Sequence, residues 1–197
     1  EGASEVGLIR GLDQFRVQKN VSIAAIGIAL VDGGGVSKVL GRALAFQSLG
    51  YRTAVLRDDD AHPDPHEEGN FHKNGGKSFV WRKGNALEDE IFEAFADTSI
   101  RHLLEKAEKF HGKDEINEHV KSASSGACDL PECILTLSLK NRKLLSKASK
   151  GRASWFKSVS FMEEVARDVL GPDLEKAELS FQNTIESIFC WTHDSGR

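Results

Sequence analysis

An apolar stretch, Val21-Ser-Ile-Ala-Ala-Ile-Gly-Ile-Ala-Leu-Val31, ends in Asp32-Gly33-Gly34-Gly35 and sets the fold class expected for this chain. Its apolar, β-branched character predicts a buried strand, and the glycines predict the turn that follows. The apolar spacing of residues 37–49 predicts a helix. A second apolar strand, Tyr51-Arg-Thr-Ala-Val-Leu-Arg57, comes next. Residues 21–60 are therefore predicted to form a strand–helix–strand unit with a parallel pair of strands.

Acidic residues stand at two places around this unit. Asp58-Asp59-Asp60 follows the second strand directly, at the carboxyl edge where open α/β sheets bind their ligands. Glu1 and Glu5 are spaced i, i+4 and fall on one face if a helix begins there. Carboxylates gathered in this way repel one another unless a divalent cation lies between them. The pattern predicts a site for a hard metal ion, Mg²⁺ or Mn²⁺.

The glycine-rich turn itself invites comparison with phosphate-binding loops. Gly33-Gly34-Gly35 lacks the spacing of both the Walker A motif and the dinucleotide-binding motif. A tight turn that lets a phosphate or a metal ion approach is therefore favoured over a nucleotide-binding loop.

Beyond the acids, the sequence predicts one more strand and a helical second half. Residues 61–77 are rich in proline and glycine and are expected to be a long polar loop, with a zinc site of His62, His66 and His72 as an alternative. A short strand is predicted at 78–81 and a helix from about Ala86. Ser160 and Glu163 have the spacing of a capping box. Further helices are predicted over 99–110, 114–124, 131–149, 160–170 and 173–189.

The charge distribution is more informative than the total charge. The chain has 197 residues, enough to bury a sizeable core, and a formal net charge of −4, which argues against coating nucleic acid by bulk electrostatics. Residues 133–162, however, contain no Asp or Glu. A cationic surface there could follow a phosphate backbone, and a solvated basic helix face is an equally good explanation. The basic residues of this segment are Lys140, Arg142, Lys143, Lys147, Lys150, Arg152 and Lys157.

Cysteine usage and apolar runs are typical of a cytoplasmic protein. Three cysteines are too few for a disulfide framework, and Cys128 and Cys133 lack a second Cys/His pair at zinc-finger spacing. Buried or unreactive thiols are expected. The longest apolar run is far shorter than the roughly 20 residues that span a bilayer, and the N-terminus lacks a signal-peptide pattern. The chain does not begin with Met, so we expect a segment of a longer protein.

Taken in order, several motifs resemble those of a known nuclease family. Glu1-Gly-Ala-Ser-Glu5, Val31-Asp-Gly-Gly-Gly35 and Arg57-Asp58-Asp59-Asp60 resemble a Toprim domain. Together with Gly84-Asn-Ala-Leu-Glu88 and Ser154-Trp-Phe-Lys157, they are similar to the nuclease domain of the OLD family, class 2. The resemblance covers most of residues 1–170.

The resemblance implies a fold of the α/β class. A Toprim-like parallel sheet would be flanked by helices, with an added C-terminal helical subdomain. Residues 1–97 would form the metal-binding α/β core. Residues 98–197 would form the helical region that carries the basic segment.

The family also implies an activity, a divalent-metal-dependent endodeoxyribonuclease. The full-length members carry an N-terminal ABC-type ATPase domain, and their substrate is DNA. A homodimer is one expected assembly. Two Mg²⁺ or Mn²⁺ ions roughly 3.5–4 Å apart would assist the attacking and leaving oxygens of the phosphodiester. We expect Asp58 and Asp60 to hold one ion, Glu5 and Glu88 the other, Glu1 to bridge or act as base, and Lys157 to face the phosphate.

Three rival functions remain open. A non-catalytic DNA-binding or assembly module would use the basic segment without metal. A phospho-acceptor domain similar to the response regulators would also place acids around Mg²⁺. Such a domain needs a lysine on a later strand, whereas Lys157 lies in a region predicted to be helical. Topoisomerase chemistry needs an attacking tyrosine, and Tyr51, which precedes a predicted buried strand, makes this improbable.

Overall fold

A small parallel sheet lies among helices in the computed structural model, which describes residues 1–17, 20–150 and 154–194. Strand β1 (Ala54–Arg57) pairs with β2 (Lys77–Val80) in parallel, with Ala54 opposite Lys77. Within the described ranges these are the only two strands. The chain is therefore of the mixed α/β kind. Strand β1 lies within its predicted segment but is shorter, and β2 is shifted by one residue towards the N-terminus from the predicted 78–81.

The N-terminal stretch 21–31 does not form the predicted strand, so the strand–helix–strand unit over 21–60 is wrong. It contains a single 3-10 turn, Ala24–Ile26, which ends at Gly27 with a positive φ of 86°. The carboxylate of Asp13 accepts hydrogen bonds from Ser22 Oγ (2.7 Å) and from the backbone N–H of Ile23 (3.1 Å). These bonds hold the start of the stretch against the first helix, and they favour a turn over an extended strand.

The parallel crossover is made instead by a helix within the stretch that was expected to be a loop. Helix α1 spans Ala3–Arg16 and α2 spans Val36–Ser48, the latter as predicted. Helix α3 (Pro65–Lys73) lies inside the predicted loop and connects β1 to β2. Asp64 caps it by accepting from the backbone N–H of His66 (2.8 Å), and Pro65 occupies the first helical position. An Asp-Pro start followed by two glutamates was a readable helix signal.

The second half is helical, as predicted, with three corrections to the boundaries. The helix predicted over 173–189 begins only at Leu179, after a 3-10 segment, Leu174–Lys176, and it extends to His193. The predicted helix 131–149 is interrupted, and Ser138 caps the second piece by accepting from the N–H of Asn141 (3.3 Å). Ser158, rather than Ser160, caps the next helix. The helices are α4 (Leu87–Ala94), α5 (Asp97–His111), α6 (Lys113–Ala123), α7 (Leu130–Leu135), α8 (Leu139–Ser149), α9 (Val159–Val165), α10 (Gly171–Asp173) and α11 (Leu179–His193); a π-helical segment, Ala166–Leu170, follows α9.

Aromatic packing ties the sheet to the C-terminal helix. The ring of Trp81, next to β2, stacks on Phe181 of α11 with centroids 5.4 Å apart, and Phe79 meets Trp191 edge to face. One core cluster contains these residues and others from both sides of residue 97. The proposed boundary at that residue stays a prediction. In the described part of the chain, no helix combines the length and apolar character needed to cross a membrane.

Helices α1 and α9 approach closely because two glycines of α1 face α9. A Cβ atom at Gly7 would lie 2.6 Å from the carbonyl oxygen of Val159, and one at Gly11 would lie 2.6 Å from Cβ of Ala166. Both distances are shorter than side-chain atoms tolerate. The absence of a side chain at these positions therefore sets the position of α1, which carries Glu5.

Candidate metal site

The carboxyl edge of the sheet brings together acids from two separate parts of the chain. Asp58 follows β1 directly, and Glu88 lies in the first turn of α4, which follows β2. The backbone N–H of Leu87 donates to Asp58 Oδ1 at 2.9 Å. This bond couples the end of β1 to the start of α4. Parallel strands end at the same edge of a sheet, which is why these residues meet.

Glu1 and Glu5 reach the same edge from the start of α1. The backbone N–H of Gly2 donates to Glu5 Oε2 at 2.7 Å, which fixes the Glu5 side chain at the helix N-terminus. The backbone N–H of Asp58 donates to Glu1 Oε2 at 3.3 Å, and the α-amino group of Glu1 donates to the carbonyl of Leu56. The beginning of α1 is thus hydrogen-bonded to the end of β1.

Burial and the charges nearby raise the pKa values of three carboxyls at this edge, those of Asp58, Glu1 and Glu88. Burial, followed by the nearby charges of Glu5, Glu1 and Glu88, raises the pKa of Asp58 to about 8. Burial also raises the pKa values of Glu1 and Glu88. Since like charges at close range disfavour ionisation, these four carboxyls behave as one electrostatic cluster. We call Glu1, Glu5, Asp58 and Glu88 the carboxylate cluster.

The cluster suits a hard divalent cation by the type of its donor atoms, all of which are carboxylate oxygens. Its buried negative charge, which raises the pKa of Asp58, is the property that a cation would relieve. Across residues 1–17, 20–150 and 154–194, however, no three His, Cys, Asp or Glu side chains are arranged so that they could hold a metal ion. The cluster is therefore chemically suited to a cation, and its side chains would have to rotate to coordinate one.

Asp60 stands apart from the other predicted ligands. Strand β1 ends at Arg57 and the chain bends at Asp59 and Asp60, so the alternation expected of an extended segment is lost. The Asp60 side chain is exposed, although its charge contributes to the raised pKa of Glu1. Asp60 therefore lies at the rim of the cluster, and Asp58 lies at its centre.

The acids next to Glu88 are bound to other partners. Burial raises the pKa of Asp89, but hydrogen bonds from Lys150 and Ser146 outweigh it and lower that pKa. Glu90 is almost fully buried and accepts from the backbone and Nε of Arg82 at 2.9 and 3.0 Å. Glu88 is therefore the acid of this turn that is left to face Asp58.

Lys157 lies near the cluster, close enough for its charge to act on Glu88. Its side chain is exposed, and its charge acts together with that of Lys150 to oppose the rise in the pKa of Glu88. Within the ranges that the structure covers, its ammonium makes neither a hydrogen bond nor an ion pair. The ammonium of Lys157 is thus available to an incoming anion, whereas Lys150 is paired with Asp89 at 2.7 Å.

Helix α8 carries a row of lysines beside the cluster. Lys140, Lys143, Lys147 and Lys150 follow helical spacing, so they share one face of the helix and its end, and all four are exposed. Lys143 Nζ lies 4.0 Å from Glu93, Lys147 Nζ donates to the carbonyl of Ala123, and Lys150 is the one of the four with a close ion pair, to Asp89. Arg152 lies outside the described residues. We call these four lysines the lysine row.

Arg142 lies on the same helix but has a structural role. Its guanidinium donates to the carbonyls of Phe92 (2.8 Å), Phe95 (2.6 Å) and Leu137 (3.0 Å) and pairs with Asp97 (2.5 Å). It therefore satisfies the carbonyls at the C-terminal end of α4, a common use of arginine at a helix end. This is the physical reason to leave Arg142 out of a DNA-binding surface.

We expect Arg142→Ala to lower the free energy of unfolding by about 2–4 kcal/mol, because three carbonyls and one carboxylate lose their donor together. Lys143→Ala is the matched control, since this neighbouring side chain is 64% exposed. It should change stability by less than about 0.5 kcal/mol. Urea unfolding of the two variants measures both values. Equal losses of stability in the two variants would contradict the structural role of Arg142.

One cavity is lined by residues of α1 and of β1. It encloses about 400 Å³ and is mainly apolar, with Leu56, Phe79 and Trp191 in its wall. Glu1 and Glu5 reach it, whereas Asp58 and Glu88 do not. This cavity offers a hard cation only the carboxylates of Glu1 and Glu5, so the acidic edge is the better candidate metal site.

Two of the alternatives from the sequence can be placed in the structure. Tyr51 is 63% exposed, and it lies before β1, at the opposite end of that strand from Asp58. His72 Nδ1 contacts the carbonyl of Gly76 at 3.1 Å, so this ring serves the α3–β2 turn. Neither residue belongs to the carboxylate cluster. Comparison of the chain with models of protein families, with curated proteins and with solved structures found no match.

Proposed function

We propose that this chain is a divalent-metal-dependent endodeoxyribonuclease of the OLD and Toprim type. The observation that carries the proposal is the position of Asp58, a carboxyl whose pKa is raised to about 8 by burial and by Glu5, Glu1 and Glu88. Such strongly shifted values are common at catalytic and metal sites. The lysine row and Lys157 beside this cluster supply the opposite charge that a DNA backbone needs.

The carboxylate cluster would hold the cations, with Asp60 completing the set from the rim. Mg²⁺ or Mn²⁺, when bound as a pair, neutralises charge on the attacking and leaving oxygens of a phosphodiester. Glu1 is suited to accept a proton from the attacking water, because burial raises its pKa. Lys157 would place its ammonium beside the phosphate and stabilise the extra negative charge of the transition state.

The lysine row has a separate role in this proposal. The acids alone repel DNA, so binding requires a cationic surface that continues away from them. Helix α8 packs on α4, the helix that carries Glu88, so the row begins close to the cluster at Lys150. A backbone that follows α8 would thus arrive at the acidic edge.

The test is cleavage of supercoiled plasmid by the purified protein with Mg²⁺ or Mn²⁺. Asp58→Asn keeps the oxygen that accepts from Leu87 but removes the charge, and we expect a loss of at least about 100-fold in the cleavage rate. The matched control is Asp114→Asn, at an exposed acid in the first turn of α6, which should cut like the parent. The proposal would be contradicted if the parent protein left the plasmid intact, or if the Asp58→Asn variant cut at the rate of the parent.

A non-catalytic DNA-binding module is the second candidate, and the exposure of the lysine row favours it. Such a module binds DNA equally well in EDTA and in Mg²⁺, and it cuts in neither. Fluorescence anisotropy with labelled duplex DNA in both buffers, run beside the plasmid assay, distinguishes the two functions. Lys143→Ala should reduce binding in either case, because each phosphate contact adds to affinity.

A further inference from the structure

Two cysteine side chains are in contact away from the carboxylate cluster. The Sγ atoms of Cys128 and Cys133 are 2.9 Å apart, and both residues are free thiols. Cys133 is fully buried in α7, whereas Cys128 is partly exposed in the segment before α7. A disulfide bond is about 2.05 Å long, so a shift of about 1 Å would bring the two sulfurs to bonding distance.

Local hydrogen bonds hold both cysteines in this arrangement. Ser124 Oγ accepts from the backbone N–H of Cys128 (3.1 Å) and donates to its carbonyl (2.9 Å). Asp129 and Glu132 form a reciprocal capping box, in which Asp129 Oδ1 accepts from the Glu132 N–H (2.9 Å) and Glu132 Oε2 accepts from the Asp129 N–H (3.2 Å). The capping box fixes the start of α7, and with it Cys133. The two sulfurs are therefore close because hydrogen bonds fix the backbone at both cysteines.

We propose that Cys128 and Cys133 are a reversible redox site, which closes to a disulfide by exchange with a small disulfide oxidant such as oxidised glutathione. In the first step, the Cys128 thiolate attacks one sulfur of the oxidant and releases one thiolate. In the second step, the Cys133 thiolate attacks Cys128 Sγ and releases the other. Two protein thiols are oxidised, one small disulfide is reduced to two thiols, and the two protons lost by the cysteines go to the leaving thiolates.

The order of the two steps follows from burial. Cys128 is accessible to a soluble oxidant, whereas Cys133 is enclosed. Burial, then the neighbouring Cys128, Asp129 and Glu132, raises the pKa of Cys133 to about 12. A thiol of this kind attacks slowly unless its target sulfur is already beside it. Contact with Cys128 provides that proximity.

The experiment uses the full chain with Cys190→Ser, which removes the exposed third thiol and leaves the pair. After incubation in a glutathione redox buffer, we expect the intact mass to fall by about 2 Da, and reduction with dithiothreitol to restore it. Peptide mapping should find residues 128 and 133 joined. Adding Cys133→Ala should instead trap a stable glutathione adduct on Cys128, because the resolving thiol is gone.

A second measurement tests whether the folded structure favours the disulfide beyond what the short sequence separation of the two cysteines provides. The equilibrium constant for closing the disulfide in glutathione buffer should be at least about 10-fold larger for the folded chain than for the chain in urea. An equal constant in the two states would overturn the proposal. So would a stable glutathione adduct on Cys128 in the protein that retains Cys133, or two thiols that remain titratable after oxidation.

Discussion

Asp58→Asn is expected to stabilise the protein by about 2–3 kcal/mol at pH 8.5 in the presence of EDTA, and under the proposed function it lowers the cleavage rate by at least about 100-fold. The gain arises because the half-buried Asp58 carboxylate loses solvation and is repelled by Glu5, Glu1 and Glu88. Asparagine has the same shape and can still accept from the N–H of Leu87. A substitution that stabilises the fold and removes activity is typical of a functional site.

The pH dependence of this effect has a definite sign. The pKa of Asp58 is about 8 in the folded protein, against a usual value of 3.8. Between these two values the folded state binds more protons than the unfolded state, so stability from this group falls as pH rises. The contribution is fully present below about pH 4 and is lost as pH passes through about 8. The advantage of Asp58→Asn should therefore be small at pH 5 and largest above pH 8.

Urea denaturation at pH 5 and pH 8.5 measures the difference, with Asp114→Asn as the control for loss of one exposed acid. Adding Mg²⁺ or Mn²⁺ at pH 8.5 should raise the free energy of unfolding of the parent and leave that of Asp58→Asn nearly unchanged. A destabilised Asp58→Asn at pH 8.5 would contradict the repulsion described here. Equal stabilisation of both proteins by the cation would place the metal elsewhere.

Gly11→Ala is expected to destabilise the protein by about 2–4 kcal/mol, although alanine normally strengthens a helix. The added methyl group would meet the carbonyl of Glu163 and lie 2.6 Å from Cβ of Ala166. Backbone atoms of a packed helix cannot rotate away as a side chain can. Helices α1 and α9 would have to separate, and that motion would displace Glu5.

Gly69→Ala provides the matched control, because Gly69 lies within α3 and a Cβ atom there meets nothing within 4 Å. It should stabilise the protein by about 0.5–1 kcal/mol through helix propensity alone. Thermal unfolding followed by circular dichroism compares the two variants. If Gly11→Ala behaves like Gly69→Ala, the close packing of α1 on α9 is not a constraint on this fold.

The sequence predicted a helix or strand correctly where the spacing of apolar residues within that segment was enough to specify it. The apolar strand before Asp58, the strand at 78–81 and helix α2 all formed close to their predicted positions. The mixed α/β character and the largely helical second half followed from the same patterns. Local patterns failed for the stretch 21–31, since its apolar residues fit a strand but the distant carboxylate of Asp13 holds Ser22 and Ile23 in a turn.

The residue pattern also gave three candidate acids in the first turn of α4 without ranking them, and the family resemblance alone singled out Glu88. Glu88, Asp89 and Glu90 are equivalent as sequence, yet Asp89 pairs with Lys150, Glu90 with Arg82, and only Glu88 faces Asp58.

Arg142 and Lys143 differ in the same way, because helix α8 turns Arg142 toward the carbonyls that end α4 and leaves Lys143 in solvent. The sequence by itself thus determined which charges the chain carries and most of the segments that become helix or strand, with the stretch 21–31 and helix α3 as exceptions. Only the tertiary structure decided which charged side chains pair with one another and which remain without an ion-pair partner. Periodicity is a property of neighbouring residues, whereas the partner of a charge is set by segments far apart in the chain.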